Sequence, residues 1–163
     1  MVTAIVQFSG DYDWLSNFYQ HPFRIEGVND YWNTAEHAFQ AAKATSGSEY
    51  RAIRDARTPS LAKQLGRRVQ LHESWDAHRR EVMLRVLMAK FSIPELRERL
   101  TGTGSAVLVE GNHWGDVYWG AVPEGGKGWN ADLPWWHFDD GVRVYAGHNW
   151  LGKLLMMTRE VIS

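Results

Sequence analysis

The spacing of apolar residues predicts a series of helices between residues 34 and 100 and one more at the end of the chain. Thr34 is a predicted N-cap, and the small apolar residues after it form a helix face on which another element can pack closely. Thr58 followed by Pro59 marks a second helix start, and Gly66 ends that helix. Together the patterns predict one helix that begins after Thr34 and further helices at residues 49–57, 60–65, 75–91, 95–100 and 149–161.

The rest of the pattern predicts short strands and one long loop. Ala4–Phe8 and Ala106–Val109 have the apolar, β-branched character of strands, and Val117–Trp119 is a further candidate. Ala121–Gly147 is rich in Pro, Gly and Asp, which is typical of a binding loop, a lid or disorder, although its tryptophans argue against disorder. The sequence therefore predicts an α+β fold: a single compact, mostly helical domain with a small β-sheet, extending over residues 1–163.

The composition excludes several classes of protein. Eighteen Lys and Arg against nineteen Asp and Glu give a net charge of −1, so the basic excess of a non-specific nucleic-acid binder is missing. Without Cys, the chain has no disulfide framework, no Cys-ligated zinc or iron–sulfur cluster and no thiol nucleophile. No apolar run has the length of a membrane span, and the first eight residues lack the features of a signal peptide. We therefore expect a soluble, cytoplasmic protein that makes no membrane contact.

The motifs of common enzyme classes are missing from the sequence. It has no phosphate-binding loop, no glycine-rich dinucleotide turn, no nucleophile elbow and no His-Glu-x-x-His pair. The seven histidines are scattered along the chain. Glu36 and His37 are neighbours, and on a helix they point about 100° apart, so they cannot chelate one ion. We expect no metal site.

Carboxylates and amides near aromatic residues supply the remaining chemistry. Cleavage of a bond to the anomeric carbon of a sugar needs a carboxylate that stabilises an oxocarbenium-like transition state and a group that moves a proton. This chemistry requires no cofactor. The nine tryptophans either pack in the core or offer a face to a flat ligand. The candidate polar residues are Asn17, Glu36, Asp116 and Asn149.

One predicted helix carries a polar stripe. Glu36, Gln40 and Lys43 recur at four and then three residues, so they project from the same side of the helix. Glu36 and Lys43 are two turns apart, about 10 Å along the axis, and a ribose could lie between them. The alternative is that this stripe is a solvent-facing helix edge, the usual position of such residues.

Six motifs follow one another along nearly the whole chain. They are Trp14-Leu15-Ser16-Asn17-Phe18, Thr34-Ala35-Glu36-His37 with Phe39-Gln40-Ala41-Ala42-Lys43, Ala62-Lys63-Gln64-Leu65-Gly66-Arg67, Trp75-Asp76, Leu108-Val109-Glu110 with Asp116 to Gly120, and Gly147-His148-Asn149-Trp150-Leu151-Gly152. Together they resemble the NADAR family of N-glycosidases, also known as YbiA-like, from about Phe8 to Arg159. The chain departs from this family in a long insertion at about residues 122–146, which could close over a small nucleotide or stack a base of a polymer.

The resemblance implies a hydrolase that cleaves the N-glycosidic bond between ribose and an amine or nucleobase. Members of the family release ribose phosphate from early riboflavin-pathway intermediates, and some remove ADP-ribose from modified guanine in nucleic acid. A non-catalytic module that binds NAD or ADP-ribose is the alternative from another class. The net charge of −1 favours a small phosphorylated nucleoside-like or ADP-ribosylated substrate, with nucleic acid involved only through a modified base.

The resemblance also implies functional residues. Matched motif by motif, Glu36, Trp75, Asp116 and Trp119 are predicted to be catalytic, together with Lys43. Lys43 either holds a phosphate or positions Glu36, or its neutral amine attacks the anomeric carbon and forms a Schiff base, which requires a lowered pKa. We prefer the covalent role. The predicted substrate-binding residues are Asn17, Gln40, Arg67 and Asn149, with Arg67 as the phosphate ligand.

Most of these assignments have a purely structural alternative. Trp75 could anchor the start of the long helix in the core, Asp116 could cap a turn, and Asn17 could hold a loop. Lys63 and Lys90 are expected on solvated or salt-bridged faces rather than in the chemistry.

Overall fold

Six α-helices, one 3-10 helix and seven short strands form the described part of the chain, residues 4–138 and 144–163 of a computed structural model. Their bounds are β1 Ala4–Ile5, the 3-10 helix Gly10–Leu15, β2 Phe23–Arg24, β3 Tyr31–Trp32, α1 Ala35–Ala41, α2 Gly47–Arg54, α3 Pro59–Gly66, α4 Trp75–Lys90, α5 Pro94–Gly102, β4 Val107–Leu108, β5 Val122–Pro123, β6 Trp135–His137, β7 Val144–Ala146 and α6 Trp150–Ile162. The predicted α+β class is confirmed. Among the described residues, no helix is both long and apolar enough to cross a membrane.

The helix starts predicted after Thr34 and Thr58 are confirmed by their caps, whereas the helix predicted at residues 49–57 begins earlier, at Gly47 after its cap Ser46, and ends at Arg54. The Thr34 hydroxyl accepts a hydrogen bond from the backbone N–H of His37, and the Thr58 hydroxyl accepts one from the N–H of Leu61. Pro59 occupies the first turn of α3, where its missing N–H costs nothing. Each cap satisfies a backbone donor that has no partner inside its helix, so these two helices begin at the residues that the sequence indicates.

The chain groups into two compact units. Unit 2 is Ser16–Leu96, and unit 1 contains the chain up to Leu15 together with the chain from Arg97 onward. In unit 2, helices α1, α2 and α3 pack on one another, α4 packs on α1 and β2, and β2 pairs antiparallel with β3. Because α1 contributes only alanines to this core, its neighbours approach it closely, as its small-residue face predicts. The core residues are Phe23, Ile25, Trp32, Ala35, Ala38, Ala41, Ile53, Ala56, Ala62 and Val86.

Unit 1 combines two small sheets with the last helix. Strands β1 and β4 are parallel, and β5, β7 and β6 form an antiparallel sheet in that order. Helix α6 packs on β4 at Gly152, where a Cβ would lie 2.1 Å from the Leu108 carbonyl oxygen. Only glycine therefore permits this approach of helix to strand. Elsewhere in the unit, Val109, Ala121 and Tyr145 form a buried cluster.

Two sequence predictions about unit 1 are wrong. Val117–Trp119 is not a strand, because Asp116 Oδ1 accepts the N–H groups of Tyr118 and Trp119 and removes them from any ladder. The carbonyls of Val117, Tyr118 and Trp119 instead accept the N–H groups of His148, Trp150 and Leu151, at the start of α6.

The segment predicted as a loop between Ala121 and Gly147 also contains regular structure. It holds β5, β6 and β7, and Trp135 pairs with Ala146 in register. The strands have only two or three residues each, so they leave no period-two pattern long enough to read in the sequence. Residues 139–143 of the predicted insertion lie outside the described residues.

We predict that Gly152→Ala destabilises the protein by about 1–3 kcal/mol, the usual cost of overpacking a tight contact. The added methyl group would lie 2.1 Å from the Leu108 carbonyl oxygen and 2.5 Å from Asn149 Nδ2. Urea unfolding measures the loss. Gly102→Ala is the matched control, because a Cβ there meets nothing within 4 Å. Equal stability of the two variants would contradict the close packing of α6.

Candidate active site

Glu36 is the second residue of α1 and its side chain is buried, with 5% of the residue exposed. The first N–H groups of a helix need partners from outside it. The Glu36 N–H donates to the carbonyl oxygen of Asn17 at 2.9 Å, so the loop after the 3-10 helix holds the start of α1. The loop and the Thr34 cap therefore fix the backbone from which the Glu36 carboxyl projects.

Gln40 lies one helical turn after Glu36 and contacts its carboxyl directly. Gln40 Nε2 donates to Glu36 Oε1 at 2.6 Å, and both side chains are buried. The predicted stripe of Glu36 and Gln40 is therefore real, but it does not face solvent. All seven residues of α1 are buried, so the solvent-facing alternative is wrong for these two residues.

The electrostatics of Glu36 are dominated by its burial. Loss of hydration raises the pKa of the Glu36 carboxyl above its ordinary value. The hydrogen bond from Gln40 opposes this rise, and so do the charges of Lys63, Lys43 and His37. The result is a carboxyl group that holds its proton more tightly than an exposed glutamate does.

Lys43 lies in the turn after α1 rather than on the helix itself. The helix ends at Ala41, and the Lys43 N–H donates to the Gln40 carbonyl at 3.1 Å. The expectation that one regular helix carries both residues is therefore wrong, because the helix contains Glu36 but ends before Lys43. Burial lowers the pKa of the half-buried Lys43 ammonium. The charge of Glu36 opposes this, whereas the like charges of Lys63, Arg67 and Arg79 add to it.

Two aromatic rings lie beside the Lys43 ammonium. Its Nζ is 5.4 Å from the ring centroid of Phe39 and 5.9 Å from that of Trp75. The two rings contact each other at 5.4 Å, inclined by 52°. Trp75 is the first residue of α4 and is buried, so it does anchor that helix, as its structural alternative proposed. It nevertheless also lies next to Lys43, as a site residue would.

Helix α3 brings two cations to this cluster. The charges of Lys63 and Arg67 both act on Lys43, and that of Lys63 also acts on Glu36. Arg67 is exposed at the end of α3, where it can meet an anionic ligand. Lys63 was expected on a solvated or salt-bridged face rather than near the site. Its spacing of three residues from Gly66 could have indicated otherwise, because it puts Lys63 on the side of α3 that packs against Gln40.

Two buried residues of unit 2 differ from their predicted roles. Asn17 acts on Glu36 through its backbone carbonyl, while its Nδ2 lies 3.5 Å from the sulfur of Met83. This supports the loop-holding alternative for Asn17. Lys90 is 1% exposed and donates to the Ser16 carbonyl at 2.8 Å, so it does not lie on a solvated face.

The remaining predicted residues, Asp116, Trp119 and Asn149, belong to unit 1. Asp116 Oδ1 accepts two backbone N–H groups and so caps a turn, as its structural alternative proposed. Trp119 contacts Tyr118 edge to face at 5.0 Å. Asn149 has no exposed surface, and its side chain bonds the Leu108 carbonyl and the Glu110 N–H. The predicted substrate contact of Asn149 is therefore replaced by a structural one.

Unit 2 thus assembles a buried acid, a nearby amine and aromatic rings. A carboxyl with a raised pKa keeps its proton to higher pH and so can act as a proton donor, and an amine with a lowered pKa loses its proton more readily and so can act as a nucleophile. Within the described residues of this unit, the hydrogen bonds and charges around Glu36 come from Asn17, His37, Gln40, Lys43 and Lys63. The arrangement is suited to acid–base chemistry on an anionic substrate.

Comparison with protein families gives one match. The model of the NADAR domain matches residues 7–163, which include both units. The chain is 34% identical over 169 residues to N-glycosidase YbiA of Escherichia coli strain K12, covering 100% of this chain and 91% of that protein.

A solved structure and a plant protein are also similar. The NMR structure of E. coli YbiA superposes with a TM-score of 0.76 at 34% identity, over 99% of this chain and 86% of that one. The maize chloroplastic riboflavin biosynthesis protein PYRR is 31% identical over 179 residues, covering 98% of this chain and 25% of the maize protein. The similarity therefore extends to sequence and fold along nearly the whole chain.

We predict that Glu36→Gln becomes more stable relative to the wild type as the pH rises. A carboxyl whose pKa is raised on folding stabilises the folded state at pH values below its ordinary pKa of 4.5. This contribution is lost as the pH rises through the raised value, and the amide has no proton to lose. Urea unfolding at several pH values between 4 and 8 measures the difference.

Glu98→Gln, at an exposed position, is the control for that experiment and should show no such trend. A constant difference between Glu36→Gln and the wild type over this pH range would show that Glu36 does not titrate abnormally.

Proposed function

The chain belongs to the NADAR family, and from this membership and the geometry around Glu36 we infer that it is an N-glycosidase. We propose that its substrate carries ribose phosphate or ADP-ribose on an amine or nucleobase, such as an early intermediate of riboflavin synthesis. The observation that carries the proposal is the buried Glu36 carboxyl, hydrogen-bonded by Gln40 and facing the charge of Lys43. The name of the maize relative, a riboflavin biosynthesis protein, supports the riboflavin connection.

Glu36 has two tasks in this mechanism. As a carboxylic acid with a raised pKa, it donates a proton to the departing nitrogen. As the resulting carboxylate, it stabilises positive charge on the anomeric carbon. The tether to Asn17 and the hydrogen bond from Gln40 hold the carboxyl for both tasks without further reorganisation.

Lys43 is the proposed nucleophile. Its neutral Nζ forms a bond to the anomeric carbon, the bond from that carbon to the leaving nitrogen breaks, and the leaving nitrogen takes the proton of Glu36. The attached Nζ then passes a proton to the Glu36 carboxylate, the bond from the anomeric carbon to the ring oxygen breaks, and the ring oxygen takes that proton, which leaves the opened sugar as an iminium on Lys43. Water adds to the iminium carbon and its bond to Nζ breaks, so ribose phosphate or ADP-ribose leaves as the aldehyde, and the Lys43 ammonium returns its extra proton to Glu36. The lowered pKa of Lys43 favours the neutral form that this step needs. In the alternative mechanism, water attacks directly and Lys43 binds phosphate or orients Glu36.

The cations of α3 support a phosphorylated substrate. Arg67 is exposed and its charge acts on Lys43, so a phosphate bound there would reduce the repulsion among the cations. The proposed catalytic roles of Asp116 and Trp119 rest on the family resemblance. Asp116 uses Oδ1 in its turn, and among the described residues its Oδ2 has no hydrogen-bond partner.

A second candidate substrate is ADP-ribose on a modified guanine in nucleic acid. The observation that favours it is an aromatic face in unit 1, where Trp129 and Trp135 contact each other at 5.6 Å and Trp135 is 45% exposed. Exposed rings of this kind can stack a base. The net charge of −1 instead favours the small substrate, which we place first.

We predict that Glu36→Gln lowers turnover more than tenfold while the protein stays folded. A tenfold loss corresponds to about 1.4 kcal/mol of transition-state stabilisation, which is modest for an essential acid. Mass spectrometry of ribose phosphate and ADP-ribose released from a panel of ribosylated amines and modified guanine measures the loss. Glu98→Gln is the control. Retention of more than about a tenth of the wild-type rate by Glu36→Gln would remove Glu36 from the mechanism.

We also predict that borohydride added during turnover traps a ribosyl adduct on Lys43. Reduction converts the imine to a stable amine, which peptide mass spectrometry locates. Lys43→Arg keeps the charge but removes the nucleophilic amine, so it should give no adduct and little turnover. If Lys43 stays unmodified and Lys43→Arg retains substantial turnover, the covalent route is excluded and direct attack by water remains.

A further inference from the structure

The side chain of Gln40 is enclosed on all sides. The residue is 3% exposed, and its Nε2 is 2.6 Å from Glu36 Oε1. Its Oε1 is fully buried and has no hydrogen-bond partner among the described residues. On that side it packs against Gly66, where a Cβ would lie 2.0 Å from Oε1. The amide therefore occupies a slot between Glu36 and the backbone of α3.

This geometry does not fit the predicted contact between Gln40 and the substrate. A ligand in solvent can reach neither Nε2, which bonds Glu36, nor Oε1, which faces Gly66. Burying a carbonyl oxygen without a donor is unfavourable, so its retention needs a reason. The two ends of an amide are nearly equal in size, and a slot that holds one orientation also holds the other.

We propose that Gln40 is a positioning residue whose amide orientation depends on the protonation state of Glu36. It donates Nε2–H to the carboxylate, and after a half-turn of the amide its Oε1 accepts a hydrogen bond from the carboxylic acid. Gly66 keeps the slot open for this rotation. The Gln40 Oε1, which has no hydrogen-bond partner among the described residues, is then the acceptor when Glu36 is a carboxylic acid. The use of this device in catalysis rests on the proposed function, whereas the hydrogen-bond exchange itself does not.

The device suits a carboxyl that must lose and regain a proton in every turnover. If the amide could not rotate, one of the two protonation states of Glu36 would be buried without a hydrogen bond to Gln40. The other charged groups that face Glu36 are Lys63 from α3, Lys43 after α1 and His37 on α1 itself. Arg67 and Arg79 act on Lys43. The Gln40 amide, which bonds the carboxyl directly, can donate to the carboxylate and accept from the acid without changing its own charge.

The wild-type protein without substrate provides the first test. Its Glu36 carboxyl is followed by NMR with carbon-13 label at Cδ, and the Gln40 side-chain amide with nitrogen-15 label, each assigned by its loss in Glu36→Gln or Gln40→Met. We expect both signals to change with the same midpoint pH. A Gln40 amide signal that is unaffected while Glu36 titrates would overturn the proposal.

Variants provide the second test. Gln40→Met keeps the shape but removes the hydrogen bonds of both protonation states. The bond to the carboxylate is charge-assisted and the stronger of the two, so the Glu36 midpoint should rise by about one pH unit. Gly66→Ala keeps both side chains but displaces the amide, and it should move the midpoint in the same direction. Gln64→Met, exposed on α3, and Gly102→Ala, with open space at its Cβ, are the matched controls and should leave the midpoint unchanged.

Kinetics then separate the proposal from the proposed function. In Gln40→Met we expect kcat to fall at least tenfold with little change in KM, because the bound substrate does not contact Gln40. A rise in KM alone would indicate substrate binding and overturn the positioning role. If no substrate of the panel is turned over by the wild type, the proposed function fails, while the NMR titration of the free protein still decides the role of Gln40.

Discussion

The structure of unit 2 depends on the complete burial of α1. A helix of seven residues has few internal hydrogen bonds, and this one is buried along its whole length together with Glu36, His37 and Gln40. Each polar group on it must therefore find a partner inside the protein. Glu36 uses the Asn17 carbonyl and Gln40, while His37 lies 2.8 Å from the Thr34 hydroxyl and donates to the Ala56 carbonyl at 3.0 Å. Two of these partners, Asn17 and Ala56, come from stretches of chain outside α1 and its cap, so satisfying α1 also holds those stretches against it.

The same constraint produces the chemistry. A glutamate in the first turn of an exposed helix is favoured as an anion, because the unpaired N–H groups there attract negative charge. Burial reverses this preference at Glu36 and raises its pKa. The lysine that follows the helix experiences the opposite effect, since burial disfavours its charged form. One buried helix thus shifts a carboxyl and an amine toward their neutral forms, which are the forms that the proposed proton donor and the proposed nucleophile need.

Local signals in the sequence predicted much of this arrangement, because caps and helix spacing depend on neighbouring residues alone. Thr34, Thr58 and the spacing of Glu36 and Gln40 were interpreted correctly. The burial of that polar stripe was not predictable from its periodicity, because polar residues on one helix side are typical of a solvent-facing edge. It depends on Gly66, whose missing side chain makes room for Gln40 and which the sequence shows only as a helix end.

Residue type alone also fails to separate functional from structural polar groups in unit 1. Asp116 and Asn149 have the same chemistry as Glu36 and Gln40, and the sequence suggested all four. Asn149 uses both its amide nitrogen and its carbonyl oxygen on the backbone around β4, and it has no exposed surface. Asp116 uses one oxygen in a turn and retains the other. Gln40 differs from both, because its unused atom is sealed inside the protein beside a titrating group. A polar residue is therefore best assigned a role from the atoms that its own fold leaves unpaired and from what those atoms face.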